Sequence, residues 1–475
     1  MKKTKIVCTL GPASSDESTM EQMLLAGMNV ARINFSHGTH KEHAKLIASF
    51  RRVRDRLKMP AAVLLDTKGP EVRIGTFQDD QPILLEEGAT FTLTTEEGVI
   101  GTQDRVWVSY PDLPLELKAG QKILLDDGKI AMRVVKTTAT EVECTVEQGG
   151  PLSNRKSINI PNTHLNMEFI SQRDEEDLRF AIEQNVDFIA ASFVRSKEDV
   201  IALRRFLDYY GGHDIRIISK IENMEGIVNF AEILQHSDGI MVARGDMGVE
   251  VDFYRLPGYQ KRFIRACYRS GKMVITATQM LESMVHAWTP TRAEITDVAN
   301  AVFDGTSAVM LSGETAMGDH PARVVEVMTQ IVEQAEQDAL EQNAFGDIHY
   351  ETDLSDTTGA VCDAACLMAK DLHAKAILAV TESGLSARRV SKFRPKQPIV
   401  ASTPNLKTFH QLALSWGVTP VLALHQNSSE SLYRHAIDCA KKVEVVKKGD
   451  RVVIAAGAPL GLAGTTNMLR VATVE

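Results

Sequence analysis

The chain has 475 residues, enough for about three domains of roughly 150 residues each. It is 44% hydrophobic and 24% charged, an ordinary globular composition, with a formal net charge of -9 at pH 7. That balance argues against a nucleic acid or an anionic membrane surface as partner, because both are met by a basic patch.

The N-terminus Met1-Lys2-Lys3-Thr4-Lys5 is basic, but only Ile6-Val7-Cys8 follow before polar residues resume. No secretory leader is expected there. The longest apolar stretch, Val452–Gly464, is broken by proline and glycines, so no membrane span is expected either. The chain reads as cytoplasmic. Its six cysteines are scattered without metal-ligand spacing and read as buried thiols.

Along the chain, short β-branched runs alternate with amphipathic stretches. The strand-like runs are Lys5–Gly11, Asn29–Ser36, Ala61–Thr67, Asp187–Val194, Ile215–Glu222, Gly239–Asp246, Met273–Gln279 and Ser307–Glu314. Helix-length segments lie between most of them, among them Ser15–Ala26, Ser171–Gln184, Ser196–Tyr209 and Tyr254–Ser270. Ser171 with Asp174, and Ser196 with Asp199, are spaced as capping boxes that open helices. Eight β-then-α units predict an α/β fold with a closed (β/α)8 TIM barrel.

Between the third and fourth runs, residues 70–166 lack helical periodicity. They read as short strands (Thr90–Thr94, Val106–Ser109, Lys122–Leu125, Ile130–Val135, Glu141–Val146) separated by Gly-containing turns. This predicts a small all-β barrel domain inserted into a βα loop; residues 71–166 hold most of the surplus acid, with a net charge of -6. The TIM barrel would then comprise 1–69 plus 167–342. The stretch Gln330–Tyr350 reads as a long helix or linker, and a second α/β alternation from Asp356 to Val474 predicts a C-terminal α/β domain over 343–475.

In such a barrel the C-terminal strand ends build the site. Those ends carry Arg32, Asn34 and Ser36; Asp66 and Thr67; Lys220 and Glu222; Arg244 and Asp246; Thr276 and Thr278; Ser312 and Glu314. Glu222 and Asp246 end adjacent strands, and two hard carboxylates facing one cavity suit Mg²⁺ or Mn²⁺. Lys220, two residues before Glu222, points to the same side of its strand and could neutralise a transferring group. The alternative for this trio is a buried ion-pair network at the barrel rim. Gly245 and its neighbours bring backbone N–H groups close enough for a carboxylate or phosphate, or form a plain turn. Asn34, Ser36, Asp66 and Thr67 offer oxygens with a single formal charge, which suits a monovalent cation, or else strand-end hydrogen bonding. No GxxxxGK[ST] loop, GxGxxG turn, HExxH or GxSxG elbow is present.

Six segments at the expected strand ends then resemble, in order, the pyruvate kinase family: Ala31–Gly38 (ARINFSHG), Leu65–Glu71 (LDTKGPE), Ile217–Gly226 (IISKIENMEG), Ala243–Asp246 (ARGD), Ala277–Met284 (ATQMLESM) and Met310–Thr315 (MLSGET). The resemblance implies phosphoryl transfer from phosphoenolpyruvate to ADP, giving pyruvate and ATP, the final step of glycolysis. It assigns Mg²⁺ (or Mn²⁺) to Glu222 and Asp246, and K⁺ to Asn34, Ser36, Asp66 and Thr67. Glu71 has the form associated with K⁺ dependence. Lys220 would face the phosphoryl group and the enolate, Arg32 the phosphate, and Gly245, Asp246 and Thr278 the substrate carboxylate. Asn34, His37, Arg73 and Lys156 would contact the nucleotide. Thr278 and Ser312 are the hydroxyls that could relay a proton to the enolate.

The resemblance also implies a homotetramer, and an insert that closes as a lid through Gly69-Pro70 and the region near Asn166. Arg32, Arg73, Lys220 and the cations would together make one positive pocket. In the C-terminal domain, Thr381, Ser383, Gly384 and Ser386 would hold an effector phosphate at a helix N-terminus. Members activated by fructose 1,6-bisphosphate often carry Trp and Arg in the loop before the last strand. Here that loop is Gly457-Ala458-Pro459-Leu460-Gly461-Leu462-Ala463-Gly464, so the expected effector is AMP or a sugar monophosphate. A metal-dependent barrel lyase or aldolase would share Glu222 and Asp246 but has no use for the K⁺-type oxygen set or a lid. A non-enzymatic sensor on a dead barrel would lack the catalytic positions, and Lys220, Glu222, Asp246 and Thr278 are all present.

Overall fold

The computed structural model describes residues 2–342, 356–460 and 464–475. All eight expected runs form one closed parallel barrel: Lys5–Thr9, Val30–Asn34, Ala62–Asp66, Phe188–Ala191, Arg216–Ile221, Gly239–Ala243, Met273–Ala277 and Ala308–Leu311. The first strand closes on the last, with Lys5 opposite Ala308 and Cys8 opposite Leu311. The strands stop one to three residues before the sequence reading because their polar last residues leave the ladder. Glu222, Asp246 and Glu314 all lie beyond the last residue of their strands.

Inside the barrel, Val30, Leu64, Phe188, Ile218, Met241, Ile275 and Met310 pack as one apolar plug. Leu414, from the C-terminal domain, joins that plug from the opposite end to the site. The helices lie outside, and both expected capping boxes form: Ser171 and Asp174 exchange bonds at one helix start, Ser196 and Asp199 at another.

The insert is a seven-stranded sheet whose order runs from Val72–Arg73 through Ser157–Asn159, Lys122–Leu125, Ile130–Thr137, Glu141–Gln148 and Thr90–Thr94 to Arg105–Trp107. Its two edges meet. Ile74 bridges Val108, Gly75 N donates to Trp107 O at 2.8 Å, and Ser109 N donates to Arg73 O at 2.9 Å, so the sheet curls into a small barrel. Gly69, at the start of the insert, has φ of +71°, and an added Cβ would lie 2.9 Å from Ser192 O. Only glycine fits there.

The C-terminal domain is a five-stranded sheet in the order Val418–Leu422, Ile399–Thr403, Ala376–Val380, Arg451–Gly457, Thr466–Thr473, all parallel but the last. The last strand starts earlier than the expected Leu469 because polar Thr466 and Met468 already pair with Gly457 and Ala456. Separate apolar clusters cover the two faces of this sheet. The domain docks under the barrel through polar contacts: Lys5 Nζ donates to Val418 O at 2.8 Å, and Gln411 Nε2 to Asp214 O at 2.6 Å. The six cysteines are free thiols, five of them buried. Among the described residues no helix is long and apolar enough to cross a membrane. The boundary expected at 343 lies outside the described residues.

Candidate active site

A cavity of about 750 Å³ opens at the C-terminal end of the barrel, between the strand ends and the insert. At its floor, the Lys220 ammonium stands 2.8 Å from Glu222 Oε1, 3.1 Å from Asp66 Oδ1 and 2.7 Å from Ser192 Oγ. Arg32 holds the other oxygen of Asp66 through Nε at 2.7 Å and reaches Thr9 Oγ1 through Nη1 at 2.8 Å. Burial would strip the proton from Lys220. The charges of Asp66, Glu222 and Asp246 outweigh burial and hold the ammonium above its ordinary range. The same logic in reverse applies to Asp66: burial raises its pKa, but Lys220 and Arg32 keep it below the usual carboxylate range. Lys220 is thus a fixed cation at neutral pH, facing the cavity beside Arg32.

Glu222 is completely buried, and burial raises its carboxyl above the usual range while Lys220 pulls it back down. Its Oε2 accepts the Phe193 N–H at 2.5 Å, while Oε1 is ion-paired with the Lys220 ammonium at 2.8 Å and has no further partner among the described residues. A buried carboxylate beside a cavity, with one oxygen held only by an ion pair, is a ligand that a hard cation can use. Asp246, in the first turn of the helix Arg244–Glu250, lines the same cavity. Among the described residues no group of three or more His, Cys, Asp and Glu side chains gathers for a metal. Two carboxylates with the rest of the sphere left to substrate oxygens is the usual protein share for Mg²⁺, so the donor set fits that ion.

The oxygens expected for K⁺ are close by. Asn34 and Ser36 line the cavity, and Asn34 Oδ1 accepts the Ser36 N–H at 3.1 Å. Asp66 and Thr67 lie just behind them and are buried. Neutral oxygens with one shared carboxylate fit a monovalent ion.

Gly245, Thr278 and Ser312 do not line the cavity. Thr278 has φ of +68°, a strained conformation for a β-branched residue. The strain is held from three sides. Gly245 N donates to Thr278 Oγ1 at 3.0 Å, that hydroxyl donates to Ala277 O at 2.7 Å, and the Arg244 guanidinium donates to Thr278 O. Arg244 is anchored in turn on Asp297 at 2.6 Å. The strand-end residues therefore do not all share one face. Arg244, Thr276 and Glu314 turn away: Thr276 bonds Thr306 at 2.9 Å, and Glu314 takes the N–H groups of Leu281 and Ser312 at 3.1 and 2.6 Å. The buried Ser312 Oγ has no hydrogen-bond partner among the described residues.

His37, Arg73 and Lys156 line the cavity, the last two from the insert. Arg73 pairs with Glu71 at 2.7 Å and Lys156 with Asp126 at 2.8 Å. These acids change the expected electrostatics. The described lining residues include six Lys and Arg but seven Asp and Glu, so the side chains alone make no positive pocket. A polyanionic substrate pair needs added cations there. Sequence reasoning also missed Ser192 and Phe193, which follow the fourth strand and bond Lys220 and Glu222. The one available signal was a polar residue at that strand end, and a lone serine carries little information.

A second cavity, of about 520 Å³, lies in the C-terminal domain. Thr381 and Ser386 line it; Ser383 and Gly384 do not. Gly384 has φ of +80° at the N-cap of the helix Leu385–Lys392, and the Ser383 carbonyl accepts from Arg216 and Arg388, each at 3.2 Å. No Lys or Arg is among the described residues lining this cavity, where His425, His435 and Glu382 are the titratable groups. Gly457, Leu460 and Gly464 of the expected effector loop line it as well, while 461–463 lie outside the described residues.

Comparison with known proteins gives a consistent result. A family model described as "Pyruvate kinase, barrel domain" matches residues 1–325, and one described as "Pyruvate kinase, alpha/beta domain" matches residues 359–472. The pyruvate kinase of Clostridium acetobutylicum is 44% identical over 475 residues, covering 100% of both chains. That of Geobacillus stearothermophilus is 46% identical over 476 residues, covering 100% of this chain and 81% of its own. A Staphylococcus aureus pyruvate kinase is 46% identical over 475 residues, covering 99% of this chain and 80% of its own.

Proposed function

The chain belongs to the pyruvate kinase family, and from that premise we propose how its cavity moves a phosphoryl group from phosphoenolpyruvate to ADP. The observation that carries the reading is the Lys220 ammonium, held within 3.1 Å of Asp66, Glu222 and Ser192 and open to a cavity shared with the insert. Phosphoryl transfer asks little covalent chemistry of a protein. It asks for positioning and for charge placed where charge develops.

In this reading Arg32 and Lys220 meet the phosphoryl group, and Lys220 also meets the enolate oxygen left behind. Gly245, Asp246 and Thr278 orient the substrate carboxylate, which requires the Thr278 hydroxyl to exchange its present bond to Ala277 O. Asn34, His37, Arg73 and Lys156 receive the nucleotide. Glu222 and Asp246 would hold Mg²⁺ (or Mn²⁺), and Asn34, Ser36, Asp66 and Thr67 would hold K⁺. When bound, those cations neutralise the substrate phosphates that seven lining carboxylates would otherwise repel. Thr278 and Ser312 are the hydroxyls read as the proton relay for the enolate; the buried Ser312 Oγ, without a hydrogen-bond partner among the described residues, supports that role. Residues 70–166 act as the lid that excludes water from the transferring group.

The C-terminal cavity takes the effector. The lack of lysine and arginine among its described lining residues favours a ligand with a single phosphate, AMP or a sugar monophosphate, over a bisphosphate. Thr381 and Ser386 of the cavity lining, with Ser383 and Gly384 of the loop beside it, are read as the phosphate-binding residues at the start of the helix Leu385–Lys392. Cytoplasmic residence and a homotetramer are carried over from the family expectation. Two assays test the whole reading. A coupled assay for ATP from ADP distinguishes a kinase from a lyase or aldolase. A titration of each effector at subsaturating phosphoenolpyruvate separates the regulators, and a response to the bisphosphate alone would sink the monophosphate assignment.

A further inference from the structure

The loop after the fourth barrel strand stands where the insert's two connections to the barrel meet the catalytic charges. Ser192 accepts from Lys220 Nζ at 2.7 Å and donates to Thr67 O at 2.7 Å. The incoming connection passes directly over it: a Cβ on Gly69 would come within 2.9 Å of Ser192 O and 3.2 Å of the Phe193 ring. Phe193 is held at φ of +55° with its N–H on Glu222 Oε2 at 2.5 Å. The outgoing connection is gripped two residues later, where Arg195 donates to Leu165 O at 3.1 Å and to Met167 O at 2.9 Å. Arg195 is itself fixed by Asp199, whose Oδ2 takes the Arg195 N–H at 2.8 Å.

We propose that the loop Ser192–Arg195 couples the position of the insert to the alignment of Lys220 and Glu222, with Ser192 and Arg195 as positioning residues. The inference rests on the reading of the insert as a lid. A swing of the insert turns about the two connections that press on this loop. Ser192 and Phe193 are tied to the site, because the Ser192 hydroxyl and both N–H groups are committed to Thr67, Lys220 and Glu222. A displacement at either connection therefore reaches the ammonium and the carboxylate directly. The site then has its charges in register only when the lid is in one position, which ties phosphoryl transfer to the exclusion of water. Small misplacements are enough, since a shift of about 1 Å in a reacting group can cost roughly 100-fold in rate.

The test combines a distance with a double-mutant cycle. Spin labels on Ala139→Cys of the insert and Lys41→Cys of the barrel, both exposed positions, are placed in a Cys366→Ala background. Their separation is measured with and without phosphoenolpyruvate, ADP, Mg²⁺ and K⁺. Turnover is then measured for Arg195→Met, Ser192→Ala and the double variant, with Ser192→Cys replacing Ser192→Ala if the alanine chain does not fold. Coupling predicts a shorter label distance with substrates bound. It also predicts a fall in kcat of roughly 10- to 100-fold in each single variant with little change in KM, and a double variant no worse than the poorer single. Losses that multiply while the distance still shortens overturn the coupling and leave the lid intact. A distance that does not respond to substrates overturns the lid reading, and the coupling with it.

Discussion

The cavity at the barrel mouth is lined by thirteen Lys, Arg, Asp and Glu side chains, whereas among its described lining residues the C-terminal cavity has one, Glu382. Both are read as sites for a phosphate, and their different construction fits the different work proposed for each. A catalytic site must follow charge as it moves from one oxygen to another, so its charges are placed beforehand and locked against one another, as Lys220, Asp66, Arg32 and Glu222 are. A site that only recognises a phosphate can use hydroxyls and backbone N–H groups at a helix start. The nearly balanced charges of the first cavity carry a further lesson. In the proposed function the chain contributes fixed partners for cations, and the cations contribute the positive field.

Breaking the charged cavity should give the largest effect. Lys220→Met should lower kcat by roughly 100- to 1,000-fold with the chain still folded, as seen in steady-state turnover and thermal unfolding. Near-normal turnover would overturn the role given to Lys220. Glu222→Gln should raise the Mg²⁺ needed for half-maximal turnover by at least about tenfold, since one of two chain carboxylates is lost. An unchanged Mg²⁺ titration would remove Glu222 from the metal site. Glu71→Lys, which also breaks the 2.7 Å pair with Arg73, should weaken the dependence on K⁺. Equal activation by K⁺ in both chains would count against the cation assignment.

The C-terminal cavity should be sensitive to backbone shape rather than to charge. In Gly384→Ala, the new Cβ would lie 2.6 Å from Arg388 Nη1 at a φ of +80°. Stability should drop by about 1–3 kcal/mol and the effector response should vanish while basal turnover stays near the parent value. An effector response at full strength would show that this loop is not the phosphate site. The smallest effect concerns the junction between the two regions. Burial pushes the His410 imidazole down to about 3, and neither ring nitrogen has a hydrogen-bond partner among the described residues. The folded chain keeps this group neutral, whereas the unfolded chain protonates it below about pH 6.5. Its contribution to stability is therefore complete above about pH 6.5 and is lost as pH falls toward 3. His410→Leu should shrink the fall in Tm between about pH 7 and pH 5, and an equal fall would contradict the assignment.

The barrel was legible because its strands are short apolar runs spaced by helix-length segments and its site charges sit at their ends, where an ordinary core has no use for Lys220 or Glu222. The insert was legible for the opposite reason, the absence of helical period over residues 70–166. What escaped depends on distant partners. Ser192 matters through Lys220, Thr67 and Gly69, none of them a sequence neighbour. Arg244 and Glu314 have the composition of site residues, yet they hold the backbones of Thr278, Leu281 and Ser312 from outside the cavity. Alternation along a strand does not tell which polar residue past its end turns inward. The charge balance of the cavity was hidden too, because Glu71, Asp126 and Glu250 reach it from loops and from the helix after the sixth strand.

The proposed function requires that this cavity deliver a phosphoryl group to ADP rather than to water. The direct measurement is a time course of phosphoenolpyruvate, ADP, pyruvate and ATP with the purified chain, in Mg²⁺ alone and in Mg²⁺ with K⁺. Pyruvate and ATP should appear in equal amounts, and fast turnover should need both ions. Pyruvate released without ATP, or no turnover with both ions present, would contradict it.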